Sequence, residues 1–425
     1  MTLKFRILAG SALAALLTTG AASAETLSDA VSSAIASNPQ LDAQRVESEI
    51  ARESLEQARA GGRTTVTVGG SAGYQYTDTN SPFSVSNGNQ GAFSSQVQAT
   101  KPIYTGGRIA AGIRQASAGI DAADAQYVAA EQDMILQVIT AYMDVRRDRE
   151  TVAIRQNNVD VSAEQLRAAE DRFEVGVVTR TDVSLAKASL EGARASMASA
   201  EAALETSLAN YSYLTGLVPG DLAPPPPVPV LPASLEEATR LGLEANPDMV
   251  AARHNEQAAM EAIEVAKAQG RPTVNLVGTA QEQYAAYESR NVRNTTLSGV
   301  VQGSIPIMTG GLVKSQTKSA RLRRDQARRQ IDTLDRSIRA QVASAWYGYE
   351  ATQRAIEASR RQVDAAEIAY EGAKEELSVG VRTTLDVLNQ EQQLFEARLS
   401  LVQSERDAYV AAHQLLRATG QLVRP

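Results

Sequence analysis

The sequence predicts a mainly α protein with a membrane β-barrel, built from long antiparallel coiled-coil helices and four strands per chain. Three observations lead there: the chain is internally duplicated, apolar residues recur every seven positions along its helical stretches, and two period-two segments interrupt each repeat. Composition agrees. Of 425 residues 43% are hydrophobic but only 4% aromatic, with a single tryptophan. So few rings leave little to fill a thick, multilayered core, whereas long helices can pack through alanine and serine.

The same composition narrows the chemistry. With no cysteine there is no disulfide framework, thiolate metal site, cysteine nucleophile or lipid-bearing N-terminal cysteine. The two histidines, His254 and His413, stand alone without carboxylates at ligand spacing, so no metal or other cofactor is expected and an enzyme is not the expectation. The arginine-rich run Arg321–Arg339 is laid out in i,i+4 pairs, Arg321 with Asp325, Asp325 with Arg329, Arg328 with Asp332, Asp332 with Arg336 and Asp335 with Arg339. That pattern is a solvated helix face and not a nucleic-acid site. Thr105-Gly106-Gly107 lacks the lysine of a phosphate loop and reads as a corner.

In order along the chain, residues 1–24 read as a signal peptide. Lys4 and Arg6 precede an apolar stretch from Ile7 to Leu17, and Ala22-Ser23-Ala24 supplies the small residues that a signal peptidase needs. Residues 25–218 form a first structural repeat, 219–232 a proline-rich linker with four consecutive prolines at 224–227, and 233–425 a second repeat. Thr26-Leu27-Ser28-Asp29-Ala30 with Asn38-Pro39 returns 208 residues later as Ser234-Leu235-Glu236-Glu237-Ala238 with Asn246-Pro247. Pro102-Ile103-Tyr104-Thr105-Gly106-Gly107 returns after 204 as Pro306-Ile307-Met308-Thr309-Gly310-Gly311. Val175-Gly176-Val177 and Asp182-Val183 return, also after 204, as Val379-Gly380-Val381 and Asp386-Val387. The change of offset places an indel in a loop between the Asn-Pro and Pro-Ile landmarks.

Each repeat reads helix, strand, strand, long helix, reversal, helix. Thr64–Thr77 and Phe93–Ile103 alternate along their length, as do Thr273–Tyr287 and Thr295–Ile307, with loops around Asn87-Gly88-Asn89 and Arg290–Asn294. The 69 residues from Gly107 to Val175 would make a helix about 100 Å long. A 36-residue helix over Glu25–Ala60 and a 34-residue helix over Asp182–Thr215, stacked end to end, would match it. Val145, Val152, Val159, Leu166 and Phe173 stand seven apart, and Tyr349, Ile356, Val363, Tyr370 and Leu377 repeat that row. Val183, Leu190, Met197, Leu204 and Tyr211 form a second row, mirrored by Val387, Leu394, Leu401, Ala408 and Leu415. A strict heptad imposes left-handed supercoiling. Ala186, Ala193, Ala200 and Ser207 lie three residues on, where partner helices can approach closely. Trp346, opposite Tyr142 in the repeat, is expected to pack between columns.

No later apolar run could cross a bilayer as a helix, so any crossing falls to the strands. Four strands cannot close a barrel, and open edges are not tolerated in lipid. Two chains would give eight strands and a filled interior; three would give twelve and room for a passage. The preferred reading is a homotrimer with a 12-stranded barrel and an α-helical tunnel. The aromatic girdle of such a barrel would rest on Tyr74, Tyr76, Phe83, Phe93, Tyr284 and Tyr287.

At this point the residues resemble the TolC-like outer membrane efflux proteins of Gram-negative bacteria. The resemblance lies in the duplicated order of elements, the Pro-Ile-x-Thr-Gly-Gly corner in both halves and the Val-Gly-x-x-Thr reversal followed by Asp-Val. It implies a trimeric duct in outer membrane lipid with a periplasmic extension, docking onto a periplasmic adaptor protein and an inner membrane ABC or proton-driven transporter, and passing proteins or small toxic compounds. It also implies a periplasmic gate at Thr181, Asp182, Arg382, Asp386 and Asn389, with Leu377 standing where the family often has a latch tyrosine and Asn389 where it has a second acidic ring position. A ring of Asp386 carboxylates at a narrow mouth would attract cations. Read from spacing alone, Asp182 and Asp386 are equally N-caps of the returning helices. The reversal tips Gly176, Val177, Val178, Gly380 and Val381 are the implied adaptor contact. Two other classes fit less well. A trimeric coiled-coil adhesin would keep its strands at the C-terminus, and a periplasmic adaptor would carry one small β domain and an inner membrane or lipid anchor.

Overall fold

The computed structural model describes residues 24–77, 88–287 and 291–424. The first repeat runs α1 (Leu27–Ser37), α2 (Pro39–Ala60), β1 (Thr65–Thr77), β2 (Gly88–Tyr104), α3 (Arg108–Glu174) and α4 (Arg180–Thr215). The second runs α5 (Leu235–Ala245), α6 (Pro247–Ala268), β3 (Thr273–Tyr287), β4 (Asn291–Ser304), α7 (Leu312–Ser378) and α8 (Thr384–Ala418). α3 and α7 have 67 residues each, about 100 Å of helix. They form the full-height columns. α2 packs on α3 near the strands and α4 packs on α3 toward the reversal, with α6 and α8 in the same places on α7, while α6 and α8 also touch α3 and so join the repeats.

The opening helix is not continuous. Asn38-Pro39 splits it, because proline lacks the N–H for the helical ladder yet fits the first turn of a new helix. Asn38 sits at the splice, 5% exposed; its Oδ1 accepts from the Gln40 N–H at 2.9 Å and its Nδ2 donates to the Leu214 carbonyl at 3.1 Å. One side chain thus caps the start of α2 and the end of α4. Asn246 repeats the device, accepting from the Asp248 N–H at 2.9 Å and donating to the Ala418 carbonyl at 3.1 Å. Asn38→Ala and Asn246→Ala are each expected to cost about 2 kcal/mol, a lost cap plus a buried carbonyl left without its donor. Thermal melting followed by far-ultraviolet circular dichroism would show it, and melting identical to the parent protein would refute the splice.

The Thr-Gly-Gly corners turn strand into helix at positive φ, +63° and +88° at Gly106 and Gly107, +56° and +85° at Gly310 and Gly311. Around mid-height two cores form. One gathers Leu27, Val31, Ile135, Val138, Ile139, Tyr142, Tyr211 and Leu214, closed by Tyr409, Val410, Leu416 and Leu422 from the far end of the chain. The other holds Ala238, Met249, Ile338, Val342 and Leu415, with Trp346 half-buried against it.

Away from these cores the seams are narrow. Ala186, Ala193, Ala200 and Ser207 are all buried, as their spacing predicts. The large heptad residues above the reversal are less so. Val152, Val159 and Leu166 are half-buried and Phe173 is 45% exposed, while the small or polar Asn158, Ser162 and Ala169 fill the seam. Of the five i,i+4 pairs expected along Arg321–Arg339, only Arg339 with Asp335 closes, at 2.7 Å; Arg324 takes Asp325 instead at 2.9 Å.

Candidate functional site at the two ends of the column

At one end the four strands form an antiparallel sheet in the order β1-β2-β3-β4, the β2–β3 pair joining the repeats. Two strands are longer than their patterns suggest. β2 begins at Gly88 and β4 at Asn291, since Gly, Asn and Arg that read as loop are carried in register with Thr77 and Ala286. Register then sorts the side chains. Val66, Val68, Ala72, Tyr74 and Tyr76 of β1 share a face with Phe93 and Val97 of β2, Ala280 and Tyr284 of β3 and Leu297 of β4. The opposite face carries Thr65, Thr67, Ser71, Gln75, Gln96, Gln98, Thr279, Gln281, Gln283, Thr296 and Ser298.

The apolar face is uncovered, with Val68 78% and Leu297 80% exposed. Tyr74, Tyr76, Phe93 and Tyr284 lie on it toward the end away from the helices, where a girdle would sit; Phe83 and the side chain of Tyr287 lie outside the described residues. β1 and β4 keep one unpaired edge each. Among the described residues, no helix is long and apolar enough to cross a membrane.

At the other end the two reversals are Schellman turns. Gly176 and Gly380 take φ +77° and +80°, and the Val177 and Val381 N–H groups donate back to Arg172 and Glu376 carbonyls, both at 2.9 Å. The returning helices are capped by Thr179 and Thr383, not by the aspartates. Asp182 and Asp386 are the third residue of a capping box, each accepting from the threonine hydroxyl at 2.7 Å and from its backbone N–H. The Thr179 hydroxyl and then its N–H hold Asp182 below the usual carboxylate range. Thr383 does the same for Asp386, with a smaller contribution from the Arg382 charge.

Arg382 itself is bound to Glu376, Nε to Oε2 at 2.5 Å, across its own reversal. Thr181 and Asn389 are exposed, Leu377 is half-buried in the last turn of α7, and Gly176, Val177, Gly380 and Val381 are exposed at the tips with Val178 half-buried. Within one chain no hydrogen bond or ion pair ties Thr181 or Asp182 to Arg382, Asp386 or Asn389 among the described residues.

Sequence reasoning missed the most unusual polar contact at this end. Glu391 of α8 is 3% exposed and accepts from Nε2 of Gln165 on α3, joining the second repeat to the first. Burial pushes its carboxyl up to about 7, the Gln165 bond opposing. Glu391 Oε1 and Gln165 Oε1 are both buried and without a partner. Spacing held the signal, for Glu391 lies four residues after Val387 and three before Leu394, seam spacing at which a carboxylate is out of place. The histidines have ordinary roles: His413 is buried against the Tyr409 carbonyl at 2.8 Å, and His254 lies 3.8 Å from Asp121.

A family model described as outer membrane efflux protein matches residues 30–217 and again 240–421. Outer membrane efflux protein BepC of Brucella suis is 35% identical over 292 residues, 69% of this chain and 64% of that protein. Outer membrane protein TolC of Escherichia coli is 27% identical over 421 residues, 94% of this chain and 83% of that protein. Among solved structures, the Campylobacter jejuni CmeC outer membrane channel superposes with a TM-score of 0.81 at 17% identity, over 93% of this chain and 85% of that one.

Proposed function

The chain belongs to the outer membrane efflux protein family, and from that premise we propose that three copies of it form a passive export duct opened at its periplasmic end. Its place is the outer membrane. The observation that carries the reading is the sheet: one mainly apolar face, interrupted by the Glu282–Arg293 ion pair, one mainly polar face and two open edges, continuous with helices about 100 Å long. Lipid covers the apolar face, water fills the polar side, and copies of the sheet close the edges. Twelve strands leave a passage where eight would be filled by side chains. The helical columns then extend into the periplasm, and their tips, the exposed Gly176, Val177, Gly380 and Val381 with the half-buried Val178, meet a periplasmic adaptor that brings an inner membrane ABC or proton-driven transporter. No substrate pocket is needed in such a wall; choice of protein or small-molecule cargo belongs to the inner membrane partner. A heat-resistant trimer on gels of isolated outer membranes is the expected result, and a monomer in every detergent would overturn the reading.

The gate rests on Thr181, Asp182, Arg382, Asp386 and Asn389, beside Leu377. Arg382 is the directional element, because an Arg–carboxylate bond such as that to Glu376 holds a reversal in one geometry. Asp386 has two roles: its capping box fixes the start of α8, and its charge, kept ionised by Thr383, attracts cations to the mouth. Arg382→Ser and Asp386→Ala are expected to raise single-channel conductance in planar bilayers several-fold, the second also weakening block by divalent cations. Unchanged conductance and block in both variants would sink the gate assignment.

A further inference from the structure

Inside one chain the second repeat docks on the first at three levels. β3 pairs with β2, with Val97 opposite Ala280. α6 packs on α3, where Arg114 meets Glu261 at 2.8 Å. At the corner the Arg271 Nη1 donates to the Gly106 carbonyl at 2.9 Å. The repeat offsets, 208 before the strand-connecting loops and 204 after them, hold in three dimensions as well as in sequence. Thr65 opposite Thr100 in the first hairpin becomes Thr273 opposite Ser304 in the second. Glu56 with Arg59 and Arg63, at 2.7 and 2.9 Å, becomes Glu264 with Lys267 and Arg271, at 2.6 and 3.1 Å.

The same offsets name counterparts of the three docking contacts, and in one chain they have no partners for those roles among the described residues. Arg63 binds Glu56 through Nη2 only, and the corner carbonyl corresponding to that of Gly106 belongs to the exposed Gly310. Arg114 corresponds to Lys318 and Glu261 to Glu53, opposite charges again, both exposed. Seven residues along α3 and seven back along α6, Asp121 meets His254 at 3.8 Å, which fixes how the helices run past each other. Their counterparts are Asp325 and Val46, so Leu322, the counterpart of buried Ala118, falls against the stretch Val46–Ile50. Leu322, Val46 and Ile50 are 58%, 45% and 53% exposed.

We propose that the β4–α7 face of one protomer takes the β1–α2 face of a second copy through these residues. The Lys318 ammonium pairs with the partner's Glu53, the partner's Arg63 donates to the Gly310 carbonyl, and Leu322 packs between the partner's Val46 and the partner's Ile50. β4 adds to the partner's β1 with Val301 opposite the partner's Ala72. The proposal rests on the reading of the protein as a closed ring of copies; it adds the register and the contacts. Charge is complementary at the helices, apolar residues exposed singly on two faces meet, and both open strand edges are satisfied at once.

Because the chain has no cysteine, engineered disulfides report the register cleanly. Val301→Cys with Ala72→Cys is expected to give covalent trimers under oxidation, since directly opposed residues fall within disulfide reach. Val301→Cys with Tyr74→Cys, one pair out of register, is expected to give none. Lys318→Glu should lower the temperature at which the oligomer dissociates, and adding Glu53→Lys should restore it. An oligomer that links through the shifted pair and not the first, or that is indifferent to both charge changes, overturns the proposal while leaving the ring intact. A monomer that links through neither pair overturns the ring itself.

Discussion

Tyr142→Ala is expected to cost about 4 kcal/mol of stability, enough to loosen the whole mid-section of the column. Tyr142 is fully buried, its ring 6.4 Å from that of Tyr211, and its hydroxyl lies 2.7 Å from the Ala223 carbonyl and 3.0 Å from that of Glu25. Those carbonyls belong to a small clasp. Glu25 N–H donates to Asp221 at 2.8 Å, Ala223 N–H donates to Glu25 at 2.9 Å, and the Tyr211 hydroxyl donates to the Glu25 carboxylate at 2.6 Å. Removing the ring therefore opens a cavity and frees the linker together. Tyr142→Phe keeps the ring and loses only the hydroxyl's bond, about 1 kcal/mol. Melting in detergent followed by circular dichroism separates the two; equal losses in both variants would contradict this account.

Glu391→Gln is expected to flatten the dependence of stability on pH and to stabilise the protein above neutrality. Unfolded, the carboxyl titrates near 4.5; folded, near 7. Below about 4.5 both states hold the proton and the contribution is complete. As pH rises toward 7 the unfolded chain releases its proton while the folded chain keeps it, so stability falls, and above 7 the loss is complete. The gap corresponds to about 3 kcal/mol at most.

The geometry says why the proton is kept. Glu391 Oε1 is a buried acceptor without a donor and no cation among the described residues faces the carboxylate, so burial favours the protonated, neutral form. Tyr370 of α7 feels the same site, its hydroxyl pushed up by burial and then by the Glu391 charge. Glutamine offers a neutral donor at any pH. Denaturation midpoints near pH 5 and pH 8 would test this, and an unchanged slope in Glu391→Gln would place the titration elsewhere.

Much of this architecture was legible because duplication doubles every weak signal. A single Pro-Ile-x-Thr-Gly-Gly corner means little, but two of them 204 residues apart, with matching reversals, fix the order of elements. Legibility stopped where two physical accounts shared one residue pattern. Asn38-Pro39 was visible as a landmark but not as a helix break, since a 36-residue helix balanced the column length as well as two shorter ones do. Gly88, Asn89 and Asn291 to Asn294 read as turns, yet strand pairing overrides their local preference. Capping was foreseen at Asp182 and Asp386 but belongs to Thr179 and Thr383, because a capping box places an acceptor at both of its ends. The Arg382 partner was hidden for another reason: Glu376 lies in a run of exposed acidic residues, any of which could have served.

The first core has a consequence for the birth of the molecule. Leu27 and Val31 are packed with Tyr409, Leu416 and Leu422, nearly four hundred residues later, and Glu25 is clasped by a linker that follows the entire first repeat. A chain made N-terminus first cannot finish even its first half until its last residues have emerged. Until then Tyr142 and its neighbours stay exposed, and so does the apolar face of the sheet. The interval between emergence and completion is the vulnerable time in this protein's life.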